Sequence, residues 1–339
     1  RYGAPPPHQE RHHAATLGTF RLRWERHTEF DSLIVIQESA KVGFKRPPIE
    51  LLPEDWLAGL EGELVAATHV VVEPAAAAAA PEVVEIERLF EGQRVVGGRV
   101  LGDSGEAFTA FRHGGDGFGR FYVRDRGMSR GRVGRLVQRL VEIDTYRTMA
   151  LLGLTVAKAT TPQLNVLESR LVALVGQLGK TSDLAEEQGL LDELFAVAQE
   201  SERLVTLSTY RFSATEAYGR LVHDRLKDLR ETRLDDFQPI AEFLDRRFEP
   251  AQRTCASVAD RQESLSRRIA RTADLARTRV DVALQKQNRA LLASMERRAR
   301  VQLRLQETVE GLSVVAISYY ALGILTYLLG GVVASELLK

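Results

Sequence analysis

Cysteine and net charge are what this sequence most clearly lacks. Its 339 residues contain one cysteine, Cys255, and 46 basic side chains balance 46 acidic ones. A lone cysteine forms no internal disulfide and completes no Cys-based zinc site, and balanced charge gives no electrostatic footprint for nucleic acid. Residues 1–20 also lack the apolar run of a secretory signal peptide. We therefore expect no nucleic-acid partner, no cofactor, and a body that stays in the cytoplasm.

Charge is absent altogether from Gly311 to Ala334, a stretch of 24 residues. A helix of this length measures about 36 Å and crosses a hydrocarbon core of about 30 Å. Eleven of its residues are Leu, Ile or Val, and each favours insertion by about 0.3–0.6 kcal/mol near the bilayer centre. We predict a transmembrane helix over 311–334, followed by the start of a loop or tail at 335–339. The alternative is a buried hairpin helix in a soluble core.

Basic residues precede this stretch, whereas only Glu336 and Lys339 follow it. The positive-inside rule then places the body on the cytoplasmic side of a bacterial inner membrane. The same side chains are candidates for contact with anionic lipid headgroups, and the alternative is a solvated helix face. The four candidates are Arg297, Arg298, Arg300 and Arg304.

One face of the predicted span carries small and hydroxyl-bearing residues at steps of three and four. Such a face is typical of helix–helix packing in membranes. In a ring of copies it would instead line a hydrated pore, which a single span cannot enclose. The residues of this face are Ser313, Ala316, Tyr320, Gly323, Tyr327 and Gly330.

A stalk helix is predicted over 251–310, because Pro250 suits a first helical turn and the next sixty residues contain neither Gly nor Pro. Nothing in the sequence ends this helix before the span. A narrow stripe of mostly apolar or small residues favours packing on other helices, within one chain or between copies. The stripe comprises Leu265, Ile269, Ala273, Ala276, Val280, Ala283, Gln287, Ala290 and Ser294.

The remaining sequence divides into an α+β cytoplasmic domain at 1–128 and helical hairpins at 129–250. A helix is expected over 129–159, and Ser213–Glu216 has the pattern of a capping box that opens another helix. The fold class predicted is thus an α+β N-terminal domain followed by a long-helix bundle, or stalk, that runs into a transmembrane helix. Alternating or β-branched runs predict strands near 20–24, 32–37, 69–73, 95–101, 107–112 and 118–124.

Candidate chemistry is sparse. The segment Trp24–Glu29 gathers several ionisable groups on an apparent strand, which favours an ion-pair network over a general acid–base site. Gly97-Gly98 and Gly114–Gly119 lack the strand-to-helix setting of a phosphate loop, so we interpret them as hairpin turns. The sequence identifies no catalytic, cofactor-binding or metal-ligating residue.

Three segments carry a resemblance to a known family: RWERHTEF (Arg23–Phe30), RFSATEAY (Arg211–Tyr218) and the long stretch Asn288–Tyr320. They resemble the DUF3422 family of uncharacterised bacterial membrane-anchored proteins, over nearly the whole chain. The resemblance implies an N-terminal extension and a second apolar segment beyond this sequence, with both termini in the cytoplasm. It implies no catalytic residues.

The layout is also similar to that of CorA-type divalent-cation channels, which join an α/β cytoplasmic domain to a very long stalk helix. Those channels end their first span in Gly-Met-Asn, where this chain has Leu328–Gly331. Our first hypothesis is a non-enzymatic, membrane-anchored oligomeric scaffold or sensor. The alternative is a homo-oligomeric CorA-like channel or transporter for ions.

Overall fold

The computed structural model describes residues 11–39, 43–75, 82–180 and 184–336, with side chains to residue 328. Contacts divide the chain into two compact units. The first unit comprises Arg1–Val166 with Ser201–Leu265, and the second comprises Leu167–Glu200 with Ser266–Lys339. Residues 76–81, which include most of an alanine run, and the last three residues of the predicted tail lie outside the described residues.

The described chain begins with strands and ends with long helices, as the predicted fold class requires. The strands are β1 (His12–Leu17), β2 (Phe20–Arg26), β3 (Asp31–Gln37), β4 (Thr68–Pro74), β5 (Val96–Val100), β6 (Gly105–Thr109), β7 (Gly119–Asp125) and β8 (Thr232–Arg233). The α-helices are α1 (Glu54–Ala58), α2 (Val83–Leu89), α3 (Arg130–Leu178), α4 (Leu184–Leu229), α5 (Ile240–Arg247) and α6 (Glu249–Glu336), and a short 3-10 turn covers Pro48–Leu51.

The first unit contains two sheets. Strands β1, β2 and β3 form an antiparallel meander in that order. Its apolar face packs with the 3-10 turn and α1 around three buried residues, Leu17, Phe20 and Leu52. The second sheet has the order β4-β7-β6-β5-β8, with β4 parallel to β7 and the other pairs antiparallel.

The second sheet is covered on both faces. One face packs with α3, α4 and α5 around a core that includes the fully buried Leu136, Leu140 and Ile143. The other face contacts α2 through Ile86 and Phe108. Burial on both faces explains the uninterrupted apolar runs Val70–Val72 in β4 and Phe121–Val123 in β7.

The glycine prediction was half right. Residues Gly114–Phe118 do form a turn, closed by the Gly114 N–H donating to the Phe118 carbonyl at 2.9 Å. Gly97 and Gly98, however, lie inside β5 rather than in a hairpin turn. A Cβ on Gly97 would collide with the Ala107 carbonyl, so glycine here permits close approach of β6.

Helix α3 is longer than predicted, because it continues through Pro162 to Leu178. A proline inside a helix costs about 3 kcal/mol and ordinarily ends it. Here the flanking carbonyls gain side-chain donors: Thr161 Oγ1 to Ala157 O at 2.7 Å and Gln163 Nε2 to Ala159 O at 3.1 Å. The leucines beyond the proline are buried at helical spacing, at 164, 167, 171 and 174, and their burial offsets the cost.

The predicted capping box at Ser213–Glu216 is wrong, since α4 runs through it without a break. Thr215 is instead buried, and its hydroxyl donates to the Ala150 carbonyl of α3 at 3.0 Å. Gly153 makes room for this contact, because a Cβ there would collide with the Thr215 hydroxyl. The Ser-x-x-Glu pattern therefore marks a close approach between the parts of α3 and α4 that belong to the first unit.

Helix α6 joins the predicted stalk and the predicted span into 88 continuous residues, about 130 Å at 1.5 Å per residue. It contains a window long and apolar enough to cross a membrane, none of which is buried. The predicted stripe is mostly buried from Leu265 to Val280, whereas Gln287 and Ala290 are exposed. The predicted packing face is therefore covered only in its first part.

Candidate functional site

The exposed half of α6, which we define as Val282–Leu328, is the most unusual surface of the described chain. Every large apolar side chain in it is exposed, with Tyr320 at 72% and Tyr327 at 86%. Soluble proteins rarely expose contiguous apolar patches of this extent, and such patches mark interaction with protein or membrane. Both uses are compatible with a helix segment that no other described residue covers.

The predicted small-residue face lies within this exposed half. Its five described members are all exposed, and a Cβ added at Gly323 would meet no atom within 4 Å. Gly330 belongs to α6, but side chains beyond Leu328 lie outside the described residues. The structure thus places these residues on an open face of one helix, and their use for packing or for a pore stays a prediction. The five are Ser313, Ala316, Tyr320, Gly323 and Tyr327.

Two hydroxyl groups in this region bond to the backbone of their own helix. Ser313 Oγ donates to the Val309 carbonyl at 2.8 Å, and Thr326 Oγ1 donates to the Leu322 carbonyl. An unsatisfied polar group in hydrocarbon costs several kcal/mol. Because these bonds are internal, Ser313 and Thr326 add little to the cost of burying the helix in lipid.

The four arginines predicted to meet lipid headgroups precede this face on the same helix, and all four are exposed. Arg300 forms an exposed pair with Glu296 at 3.6 Å, which contributes about 0.5 kcal/mol or less. Such a weak pair leaves the guanidinium free to exchange partners. Contact of Arg297, Arg298, Arg300 and Arg304 with headgroups stays a prediction.

A polar cluster in the first unit joins two of the segments that carry the family resemblance. Glu29 follows β2, and Arg211 and Tyr218 lie on α4. Arg211 Nη2 donates to Glu29 Oε1 at 2.8 Å, with 9% of the Glu29 side chain exposed. The Tyr218 ring stacks on Tyr146 of α3, with ring centroids 5.7 Å apart. We call this the Glu29 cluster.

Opposing effects set the pKa of Glu29. Burial alone would raise it, but the hydroxyls of Tyr210 and Tyr218 and the Arg211 guanidinium outweigh burial and lower it. Burial and the Glu29 carboxylate in turn raise the pKa of Tyr218. The cluster therefore holds a charged carboxylate against neutral phenols and a cation, and it ties the turn after β2 to α4.

Glu25 and Arg26, in the same segment, also form ion pairs, as the ion-pair interpretation predicts. Arg23 contacts Glu25, and Arg26 Nε lies 3.4 Å from Asp31 Oδ1. The strand pattern fails at one point, because β2 ends at Arg26 and His27 begins a turn closed by its N–H donating to the Phe30 carbonyl at 2.8 Å. The turn is what frees Glu29 to reach α4.

Sequence reasoning missed a second cluster, at the start of β4 and β7. The His69 side chain is 9% exposed, its ring stacks on Phe118 with centroids 4.3 Å apart, and its Nε2 lies 3.4 Å from Asp116 Oδ2. Arg120 is equally buried and binds Glu91 Oε1 at 2.7 Å. The turn-forming glycines around Asp116 were the only signal in the sequence, and they do not identify the partners on β4 and in the turn after α2.

Burial lowers the pKa of His69, and the nearby Arg120 lowers it further, while Asp116 and Glu50 oppose them. Burial would raise the pKa of Asp116, but the Phe118 N–H and Arg120 outweigh this and lower it. The pair is thus a neutral imidazole beside a charged carboxylate. Among the described residues, no group of three or more His, Cys, Asp or Glu side chains is placed to hold a metal ion.

Comparison with known proteins gives a family without an assigned activity. The chain has no significant match among curated proteins or among solved structures. Residues 1–338 match the family described as a protein of unknown function (DUF3422). Because the match covers nearly every residue, the family suggested by the segments Arg23–Phe30, Arg211–Tyr218 and Asn288–Tyr320 is confirmed, and the chain belongs to DUF3422.

Proposed function

We propose that this protein is a non-enzymatic, membrane-anchored scaffold or sensor that assembles as a homo-oligomer. Its body lies on the cytoplasmic side of a bacterial inner membrane, and α6 is its anchor. The observation that carries the proposal is the exposed half of α6, in which an uncharged stretch of 24 residues continues a charged helix without a break.

Energetics favour lipid as the surroundings of that stretch. Each CH₂ group moved from water into lipid contributes about 0.8 kcal/mol. In the described part of the stretch, eight large aliphatic side chains between Leu312 and Leu328 are each more than half exposed. No charge opposes insertion, and the helix satisfies its own backbone groups. Lipid lowers the free energy of this segment without any change in its conformation.

The charge distribution supports the cytoplasmic orientation. Arginines crowd the fifteen residues before the span, and their attraction to an anionic leaflet amounts to about 1 kcal/mol per residue near the surface. Several buried ionisable groups of the body are held in ion pairs, such as Glu29 with Arg211 and Arg120 with Glu91, which supports a structural rather than a chemical role for them.

Membrane fractionation with alkaline extraction tests the anchor. The full-length protein is expected to stay in the membrane pellet at alkaline pH, where peripheral proteins are released. Protease added to inside-out vesicles should degrade the body, and protease added to right-side-out vesicles should leave it intact. Release by alkali would overturn the anchor, and the reverse protease pattern would overturn the orientation.

A second candidate function is a homo-oligomeric ion channel or transporter with a CorA-like layout. The observation that favours it is the hydroxyl-bearing face at Ser313, Tyr320 and Tyr327, which in a closed ring would present oxygen atoms to an axis. Ion flux into proteoliposomes tests it. Tyr320→Leu should abolish flux, while Tyr319→Leu, on the adjacent face, should preserve it. Absence of flux with the unmodified oligomer would reject this candidate.

A further inference from the structure

The small-residue face of the span continues backwards into the stalk without a change of phase. Starting at Leu292, steps of three and four alternate strictly to Gly330, and every position reached is uncharged. We call these twelve positions the seam. Its stalk part is Leu292, Met295, Ala299, Gln302, Gln306 and Val309; its span part is Ser313, Ala316, Tyr320, Gly323, Tyr327 and Gly330.

The surrounding charges make the seam distinctive in the stalk. Residues 292–310 contain seven charged side chains, and all seven fall outside the six seam positions. In a seven-residue repeat with Leu292 at a and Met295 at d, Arg297 and Arg304 occupy f and Arg300 occupies b, on the outer side. Contact through the seam therefore turns these guanidinium groups outward, whereas contact through the outer side would press like charges together.

Alternating steps of three and four repeat every seven residues, and this period supercoils paired helices to the left. The seam extends over 39 residues, more than five heptads and about 57 Å. Its described positions are exposed along the helix, including Leu292 at 65% and Met295 at 64%. Nothing in the described part of the chain occupies it.

The seam crosses the predicted membrane boundary at Gly311, and this limits the kinds of partner that can cover its whole length. Lipid covers the span part but not the stalk part, and a soluble protein covers the stalk part but not the span part. A partner that covers both is a helix entering the bilayer at the same depth with the same repeat. A second copy of this chain, anchored in the same orientation, meets each requirement.

We propose that copies of this chain pack along the seam in parallel and in register, as one left-handed coiled coil that begins at Leu292 and continues into the membrane. This inference rests on the proposed anchoring and specifies the surface that makes the oligomer. In the span part, small residues permit close approach of helices in lipid. In the stalk part, Gln302 and Gln306 face their counterparts and fix the register, as single polar residues at core positions do.

Disulfide trapping in native membranes tests the seam with matched alanines. The starting protein carries Cys255→Ala, which removes the only native thiol, itself buried at 3% exposure. Single cysteines then replace Ala299 and Ala316, which lie in the seam, or Ala293 and Ala321, which lie at b on the outer side. All four substitutions exchange the same residue type on the same helix, and oxidation is followed on non-reducing gels.

The seam predicts disulfide-linked dimers at Ala299→Cys and Ala316→Cys, with yields several-fold above those at Ala293→Cys and Ala321→Cys. Equal yields at the four sites, or the opposite phase, would overturn the seam even if the protein is an oligomer in the membrane. Seam-phase trapping confined to the stalk or to the span would overturn its continuity. Alkaline release of the protein would overturn the anchor itself, so the two failures are distinguishable.

Discussion

The first unit and the exposed half of α6 depart in opposite ways from the usual distribution of side chains, in which charged groups lie outside and apolar groups inside. The first unit buries charge: the side chains of Glu29 and Arg120 are each 9% exposed. The exposed half of α6 does the reverse and leaves its apolar side chains in the open. Burying charge and exposing large apolar patches are both costly, so each region needs compensation.

Among the described residues, compensation is present for only one of the two regions. Glu29 has Arg211 and two tyrosine hydroxyls beside it, and Arg120 has Glu91, all within the first unit. The apolar side chains of α6 between 282 and 328 have no such cover among the described residues. The difference is that the described chain compensates these buried charges itself but leaves the exposed half of α6 uncovered.

The largest effect is expected where apolar burial is complete. Leu140→Ala removes a side chain with no exposure from the first-unit core, and such substitutions cost about 2–5 kcal/mol. Leu303→Ala, at a position 60% exposed, should cost less than about 0.5 kcal/mol. Denaturant unfolding of the detergent-extracted protein measures both. Similar losses at the two sites would mean that the body covers α6.

A charge in the span should affect insertion rather than folding. Leu322→Arg places a guanidinium near the centre of the stretch 311–334, at a cost of about 2.5–3.5 kcal/mol. The expected result is a larger fraction of protein released from membranes by alkali, while near-ultraviolet circular dichroism of the body stays unchanged. Val301→Arg is the control, since residue 301 precedes the span and should not alter extraction. Normal membrane retention of Leu322→Arg would contradict the predicted span.

Two arginines of α4 form ion pairs with glutamates, one pair largely buried and the other exposed. Arg211–Glu29 and Arg220–Glu216 both have N–O distances of 2.8 Å, but the second pair is about 70% exposed. Arg211→Met leaves a mostly buried carboxylate without its cation and should cost about 2 kcal/mol, whereas Arg220→Met should cost about 0.5 kcal/mol or less. Unfolding free energies of the two variants measure these costs. Equal costs would mean that burial does not make the Glu29–Arg211 pair more important for stability.

The smallest predicted effect concerns pH. The pKa of His69 is lower in the folded state than in the unfolded state, where it is about 6.5. The unfolded chain therefore binds the extra proton first, and stability falls as the pH drops below about 6.5, by at most about 1.4 kcal/mol per pH unit. His69→Gln should flatten this part of the curve, measured as unfolding free energy from pH 7.5 to 5.5. An unchanged slope would contradict the buried, neutral imidazole.

Sequence patterns predicted the secondary structure best where a single element determines it. The alternation at Phe20–Trp24 and the β-branched run at His69–Glu73 both became strands, and the Gly- and Pro-free stretch before Gly311 became part of α6. Predictions failed where tertiary contacts decide. Burial of its leucines stabilises α3 beyond Pro162. Thr215, within the predicted capping box, packs against Gly153 instead of lying at the start of a helix.

The candidate sites were likewise predictable where a single element defines them, and not where tertiary contacts do. A charge-free stretch and a seven-residue repeat are properties of one helix, so the residues of the span and seam could be read from the sequence. The Glu29 cluster could not, because its ion pair joins residues 182 positions apart. His69 was missed for the same reason, since its partner Asp116 lies on a turn that folding brings to β4.

The central claim is that the exposed half of α6 is covered by lipid and by other copies of the chain. The mass of the full-length protein in detergent, measured by light scattering and corrected for bound detergent, tests it most directly. The account predicts a discrete mass equal to a small whole number of chains, two or more. A mass equal to one chain, at concentrations where the protein remains folded, would contradict it.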